Sequence, residues 1–339
     1  MTQAPSDAAR YDVIAIGNAI VDVMSPCEDA DIVRLDMAKG GMTLIDTPRA
    51  HALYEAMGPA REISGGSAAN TLAGLAALGA RCAFVGQVAE DQLGEVFGHD
   101  IRAAGVDFTV APRAGDPPTA RCLIFVTPDG QRTMNTFLGA SQFLPAAAID
   151  HDLIASAQVL YLEGYLWDPE QPRAAMQGAI ATARAAGRKV ALSLSDAFVI
   201  ARHGDDFRAL LAAGDIDILF ANAAELAAMT GIDDFEAGLA ALAPQVPVLV
   251  VTRGADGAVA LAGGARAEVA AEPIAHVVDT TGAGDLFAAG FLFGHTRGLA
   301  LGECLTIGAI AAAEVIVHYG ARPEADLQDL VAARLGTVA

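Results

Sequence analysis

Short apolar runs recur along the chain, each closed by a turn signal and followed by a longer stretch of helical periodicity. Residues 11–16 (YDVIAI) form the first such run and end at Gly17-Asn18, which predicts a buried strand feeding a turn. Residues 83–86, 159–162, 190–194, 216–220 and 248–251 repeat the pattern. Helices are expected over 51–57, 71–78 and 91–104, and from Glu170, Asp205, Ala224 and Glu303 onward. This alternation is that of βαβ units in a mainly parallel central sheet flanked by helices, an α/β fold whose ligands bind beyond the carboxyl ends of the strands.

Two regions break the rhythm. Residues 106–140 carry Pro112, Pro117-Pro118 and Pro128, and the alternating segments 119–126 and 132–137 meet at Asp129-Gly130, as in an antiparallel hairpin. Residues 23–48 loosen into short polar strands such as 42–45. Together they predict a discontinuous, β-rich lid over a core made of residues 1–22, 49–105 and 141–339. A lid that closes excludes water, which protects a reactive phosphoryl donor from hydrolysis.

Composition narrows the partners. The chain has 339 residues, 53% of them hydrophobic, enough for a large core, and a net charge of −20 with only two lysines, Lys39 and Lys189. Such a surface repels nucleic acid and anionic membrane, which leaves small molecules as the expected partners. Cys27, Cys82, Cys122 and Cys304 form no C-x-x-C pair and are expected as reduced thiols. Residues 1–10 are polar with Pro5, expected as a frayed tail with no signal peptide. The expected setting is cytoplasmic.

Candidate chemistry gathers at strand ends. Residues 279–285 (DTTGAGD) open an apolar, small-residue helix. Gly282, Ala283 and Gly284 leave the backbone amides open at a helix N-terminus, a seat for phosphate. Asp285 beside them is placed to take a proton from a hydroxyl attacking that phosphate. The plain alternative is an Asp cap after a Gly-rich turn. Asp22 is a lone carboxylate in apolar company, able to accept two sugar hydroxyls or to sit in a surface turn. Gly65, Gly66, Ser67 and Asn70 bring open backbone and polar groups to another helix start. Asn222 and Glu225, three apart after a buried strand, suit a capping box or Mg²⁺ held through waters. Thr252, Arg253 and Gly254 end the next strand, with Arg253 as a phosphate fork or a solvated cation. Tyr165 and Phe198 offer a stacking surface or core packing. The chain lacks G-x-x-x-x-G-K-[ST], so it is not built on a P-loop.

The string DTTGAGD with its following helix, supported by GGSAAN at 65–70 and N-x-x-E at 222–225, resembles the C-terminal signature and companion motifs of the PfkB/ribokinase family of small-molecule kinases. The resemblance covers residues 11–325 and implies a ribokinase-like fold with a β-rich lid. It implies Asp285 as general base, Gly282, Ala283 and Gly284 as anion hole, and Asn222 and Glu225 organising Mg²⁺. Thr252, Arg253 and Gly254 would meet the phosphates of ATP, with Gly282 and Gly284. Asp22, Gly66 and Asn70 would bind substrate hydroxyls, and Asp279 with Thr281 would sit at a loop for a monovalent cation such as K⁺. Residues 318–321 (HYGA) would line either the adenine site or that cation loop. Gly17-Asn18 leading to Asp22, Ser67 after the glycine pair and residues 193–198 are similar to the adenosine kinase branch. On that likeness Asn18 and Asp22 hold a ribose, Ile20, Tyr165 and Phe198 flank a purine, and Arg132 on the lid reaches the phosphates. Glu163 and Asp196 depart from that pattern by adding acidity on the substrate side. The implied activity is ATP-dependent phosphorylation of the 5′-hydroxyl of a ribonucleoside, adenosine first. A sugar kinase acting on ribose, fructose or 2-keto-3-deoxygluconate and a non-catalytic nucleoside-binding regulator are the alternatives. The resemblance spans both monomers and homodimers.

Overall fold

Along β1 (Tyr11–Ile16) every residue is buried, yet the side chains divide between two cores. Val13 and Ala15 face one hydrophobic cluster and Ile14 and Ile16 the other, because successive side chains leave a strand on opposite faces. A sheet covered on both sides therefore reads as a continuous apolar run. The computed structural model describes residues 9–336, so the expected tail at 1–10 lies almost wholly outside the described residues.

The following strands are β2 (Ile20–Pro26), β3 (Met42–Leu44), β4 (Arg61–Gly65), β5 (Cys82–Val85), β6 (Val106–Phe108) and β7 (Ala120–Val126). Then come β8 (Arg132–Phe137), β9 (Ala157–Glu163), β10 (Lys189–Ser193), β11 (Ile218–Asn222), β12 (Val248–Thr252), β13 (Ala258–Ala262) and β14 (Ala265–Val269). Nine of them form one sheet in the order β14-β13-β12-β11-β10-β9-β1-β5-β6. It is parallel from β12 to β6, with β13 and β14 added antiparallel at one edge. A second sheet of five strands runs β3-β8-β7-β2-β4, with β7 and β8 paired antiparallel as the hairpin pattern predicts.

The lid differs from expectation at two strands. β4, placed in the core by its position in the chain, pairs antiparallel with β2 and belongs to the small sheet. β6, expected in the lid, pairs parallel with β5 at the edge of the large sheet. Strands of three to five residues carry too little periodicity to say which edge they join. β2 itself begins at Ile20, so Asp22 stands on the small sheet, opposite Ile63 on one side and Cys122 on the other.

Residues 275–278 join no strand, and the Val278 amide bonds the Ile316 carbonyl (2.8 Å). One helix departs from its predicted form. The helix expected from Asp205 starts earlier, at Ala197, because the Asp196 side chain accepts from the Phe198 amide and caps it there. The helix Ala283–Thr296 lies against Leu301–Val315 at Gly290, where a Cβ would fall 2.5 Å from the Ile307 carbonyl oxygen. All four cysteines are free thiols, and no described helix is long and apolar enough to cross a membrane.

Candidate active site

The carboxyl ends of the parallel strands and the inner face of the small sheet enclose one cavity of about 850 Å³. Its wall collects residues from far apart in the chain: Asn18, Ile20, Asp22, Gly66, Ser67, Asn70, Tyr165, Phe198, Asn222, Glu225, Thr252, Thr281, Gly282, Gly284 and Asp285. Gly65, Arg132, Arg253, Gly254, Asp279 and Ala283 are not on that wall.

Asp285 stands in the first turn of the helix Ala283–Thr296, and Gly282, in the left-handed region at φ 78°, turns the chain into it. The Ala283 amide bonds the Thr280 carbonyl (3.2 Å) and the Leu286 amide the Gly282 carbonyl (2.8 Å), which leaves the amides of Gly284 and Asp285 without backbone acceptors. A Cβ at Gly284 would meet no atom within 4 Å, so the turn is an open cradle beside the Asp285 carboxylate. Ser67 Oγ donates to Asp285 Oδ1 (2.6 Å) and Asn70 Nδ2 to Oδ2 (3.0 Å). Burial pushes the Asp285 carboxyl up and these two bonds pull it back. Ser67 and Asn70, read from the sequence as substrate ligands, thus hold the Asp285 carboxylate in place.

Asp22 is the contrasting carboxylate. Burial, the largest influence on it, pushes its carboxyl up to about 6 against the pull of Arg322 and Arg132, with no hydrogen bond among the causes. It faces the cavity with its acceptors free. Gly65 is permissive rather than a ligand, since a Cβ there would fall 2.5 Å from Asp22 Oδ2.

The side chain of Asn18, on the cavity wall, is also engaged within the protein. Its Nδ2 donates to Glu163 Oε1 (2.5 Å) and its Oδ1 accepts from Ser141 Oγ (2.7 Å). Glu163, fully buried at the end of β9, also accepts from the amides of Asn18 (2.7 Å) and Ala68 (2.8 Å), and burial lifts it to about 7. It joins the turn after β1 to the start of the helix Ser67–Ala77. At Gly66, φ is +94° and a Cβ would sit 2.2 Å from the Asn18 carbonyl oxygen. Gly66→Ala should therefore lose about 2–4 kcal/mol of stability and several degrees of melting temperature. Gly284→Ala, with space for its methyl and a better helix former, should keep its melting temperature while turnover falls at least about tenfold. Thermal melts and initial rates on both variants separate the two glycine roles.

Asn222 and Glu225 form a reciprocal capping box: Asn222 Oδ1 accepts from the Glu225 amide (2.9 Å), and Glu225 Oε2 from the Asn222 amide (3.1 Å). The box is compatible with a metal role, because it presents a buried carboxylate, raised to about 7, on the cavity wall. A carboxylate on the same wall as the open amide turn is the kind of oxygen ligand that suits Mg²⁺ bound with a polyphosphate.

Arg253 departs from expectation. Its amide bonds the Gly257 carbonyl (2.7 Å), and its guanidinium lies over the Phe235 ring and 3.4 Å from Glu268. The antiparallel turn from β12 into β13 carries it and Gly254 away from the cavity, leaving only Thr252 on the wall. Arg132 likewise reaches Asp279 rather than the cavity. None of residues 318–321 lines the cavity; the Gly320 amide bonds Asp279 instead (3.1 Å).

One residue escaped the sequence reading altogether. Arg322 donates to the carbonyls of Ser64 (2.6 Å) and Ala69 (2.7 Å) and pins both sides of the turn that carries Gly65 and Gly66. Burial lowers it to about 10, so it remains a cation near Asp22 and Asp285. An arginine in a loop after a helix offers no local signal of that role.

The profile of the pfkB family carbohydrate kinases matches residues 54–327. The structure of an adenosine kinase from Sinorhizobium meliloti is 49% identical over 96% of this chain and 99% of that one, with a TM-score of 0.88. That of a probable sugar kinase from Rhizobium etli is 46% identical over 97% and 100%, with a TM-score of 0.90. A 5-dehydro-2-deoxygluconokinase from Shouchella clausii is 28% identical over 92% of each chain. The fold is the ribokinase-like α/β fold.

Proposed function

The chain belongs to the pfkB family of carbohydrate kinases and is a phosphotransferase with a hydroxyl acceptor; from that premise we propose that it phosphorylates the 5′-hydroxyl of a ribonucleoside, adenosine first, with ATP as donor. The observation that carries this reading is the composition of this cavity. An unbonded carboxylate, Asp22, shares it with two exposed aromatic rings, Tyr165 at 37% and Phe198 at 76% exposure. A carboxylate suits vicinal ribose hydroxyls, and open aromatic faces suit a base. The 49% identity with an adenosine kinase points the same way.

Asp285 accepts the proton of the 5′-hydroxyl while that oxygen forms its bond to the γ-phosphorus and the bond to the ADP oxygen breaks. The amides of Gly284 and Asp285 hold the negative charge that gathers on the transferred group. Asn222 and Glu225 would hold Mg²⁺ through water, and the ion supplies positive charge to the phosphate oxygens when bound. Ser67 and Asn70 keep the base aimed, and the small sheet closes the cavity from water.

A second reading, a neutral sugar without a base, is favoured by the hydroxyl acceptors Asp168 and Asp196 on the same wall. An ATP-dependent assay with adenosine, inosine, guanosine, cytidine, ribose, fructose and 2-keto-3-deoxygluconate decides between them. Adenosine is expected to lead in kcat/KM by at least about tenfold. A free sugar in the lead overturns the nucleoside assignment, and no turnover of any acceptor returns the binding-protein reading.

A further inference from the structure

The resemblance to ribokinases placed a monovalent-cation loop at Asp279 and Thr281, and the groups around Asp279 do not fit one. A cation is held by oxygen lone pairs, whereas Asp279 is ringed by N–H donors. Its Oδ1 accepts from the Thr281 amide (3.0 Å), and its Oδ2 from the Gly320 amide (3.1 Å). The same Oδ2 lies 2.6 Å from Arg132 Nη1, and both side chains are buried, at 7% and 4% exposure. Arg132 Nη1 also lies 3.1 Å from Thr281 Oγ1, and its guanidinium stands over the Tyr319 ring, 5.4 Å from the centroid. The positive charge beside this turn is therefore already present and covalently attached.

We propose that the guanidinium of Arg132 takes the place of a monovalent cation beside the anion-hole turn, so that the protein works without K⁺. Arg132 neutralises Asp279 and anchors Thr281, the residue before Gly282, and so fixes the turn that presents the Gly284 and Asp285 amides. Arg132 stands at the start of β8, whereas Asp279 belongs to the core segment leading into the Ala283–Thr296 helix. The charge that shapes the anion hole is thus delivered by the small sheet, and the turn is complete only with that sheet seated. The kinetic part of this inference rests on the kinase reading; the charge substitution does not.

The test compares K⁺ with tetramethylammonium, a cation too large for the site, at equal ionic strength of about 0.1 M. Melting temperature is read first, because it needs no substrate. The wild-type protein is expected to melt within about 1 °C in the two salts. Its initial rate with whichever acceptor leads is expected to differ by less than about twofold. Arg132→Ala leaves Asp279 buried and uncompensated. It should melt lower, and K⁺ should return at least about 3 °C that tetramethylammonium does not. Wild-type stabilisation by K⁺ of that size, or stimulation beyond about fivefold, overturns the proposal whether or not the variant folds. A folded Arg132→Ala protein that is indifferent to K⁺ overturns it too. Failure of every acceptor in the activity assay leaves the melting comparison intact, so the two readings fail separately.

Discussion

Asp285→Asn should lower kcat by at least about 10³-fold while ATP still binds within about threefold of wild type. The substitution removes the proton acceptor and leaves in place the turn from Gly282 and the open amides of Gly284 and residue 285. Ground-state binding of the donor depends on those amides; the proton transfer exists only in the transition state, so the loss falls on kcat. The variant should fold, because a buried carboxyl whose ionisation is disfavoured by burial is replaced by a neutral amide of the same shape. Calorimetric titration with ATP and steady-state rates check both halves. Near-normal turnover would remove Asp285 from the role of base.

Asp22→Ala should lower kcat/KM for the acceptor by about 10²–10⁴-fold with little effect on ATP affinity. Two charge-assisted hydrogen bonds to vicinal hydroxyls are each worth about 1.5–3 kcal/mol, and the truncation removes both. The same carboxylate sets a pH dependence. Burial raises Asp22 to about 6, so below that pH the free enzyme carries it protonated and loses an anionic acceptor. The wild-type kcat/KM for the acceptor should therefore fall on the acid side of about pH 6. That quantity reports the free enzyme, in which the raised value applies. An alanine variant that keeps wild-type kcat/KM would show that the acceptor's hydroxyls are bound elsewhere on the wall.

Local order was legible where it depends on local rules. The turn 282–284 and Asp285 follow from small residues at a helix start, whereas the need for glycine at 66 comes from the Asn18 carbonyl, 2.2 Å from where its Cβ would sit. The parallel strands declare themselves by runs buried on both faces. Asn222 and Glu225 declare a cap by their spacing, and the structure shows that cap. The capping pattern itself carries no information on whether the carboxylate also faces a ligand; its place on the cavity wall comes from the strand order.

What the linear chain determined about this protein is its fold class, its open turn at 282–284 and the residue types available for chemistry, because these rest on periodicity and on backbone freedom within a few residues. The partners of those residues were decided only in three dimensions. Ser67 and Asn70 meet Asp285 across more than two hundred residues, Glu163 takes up Asn18, Arg322 holds the turn at Ser64, and Arg132 crosses between sheets to Asp279. Arg253, at a strand end that looked equivalent to the others, is turned toward Glu268 by the hairpin after it. A side chain's spacing in sequence says which face of its own element it occupies. Which donor or acceptor waits opposite depends on the packing of that element against all the rest.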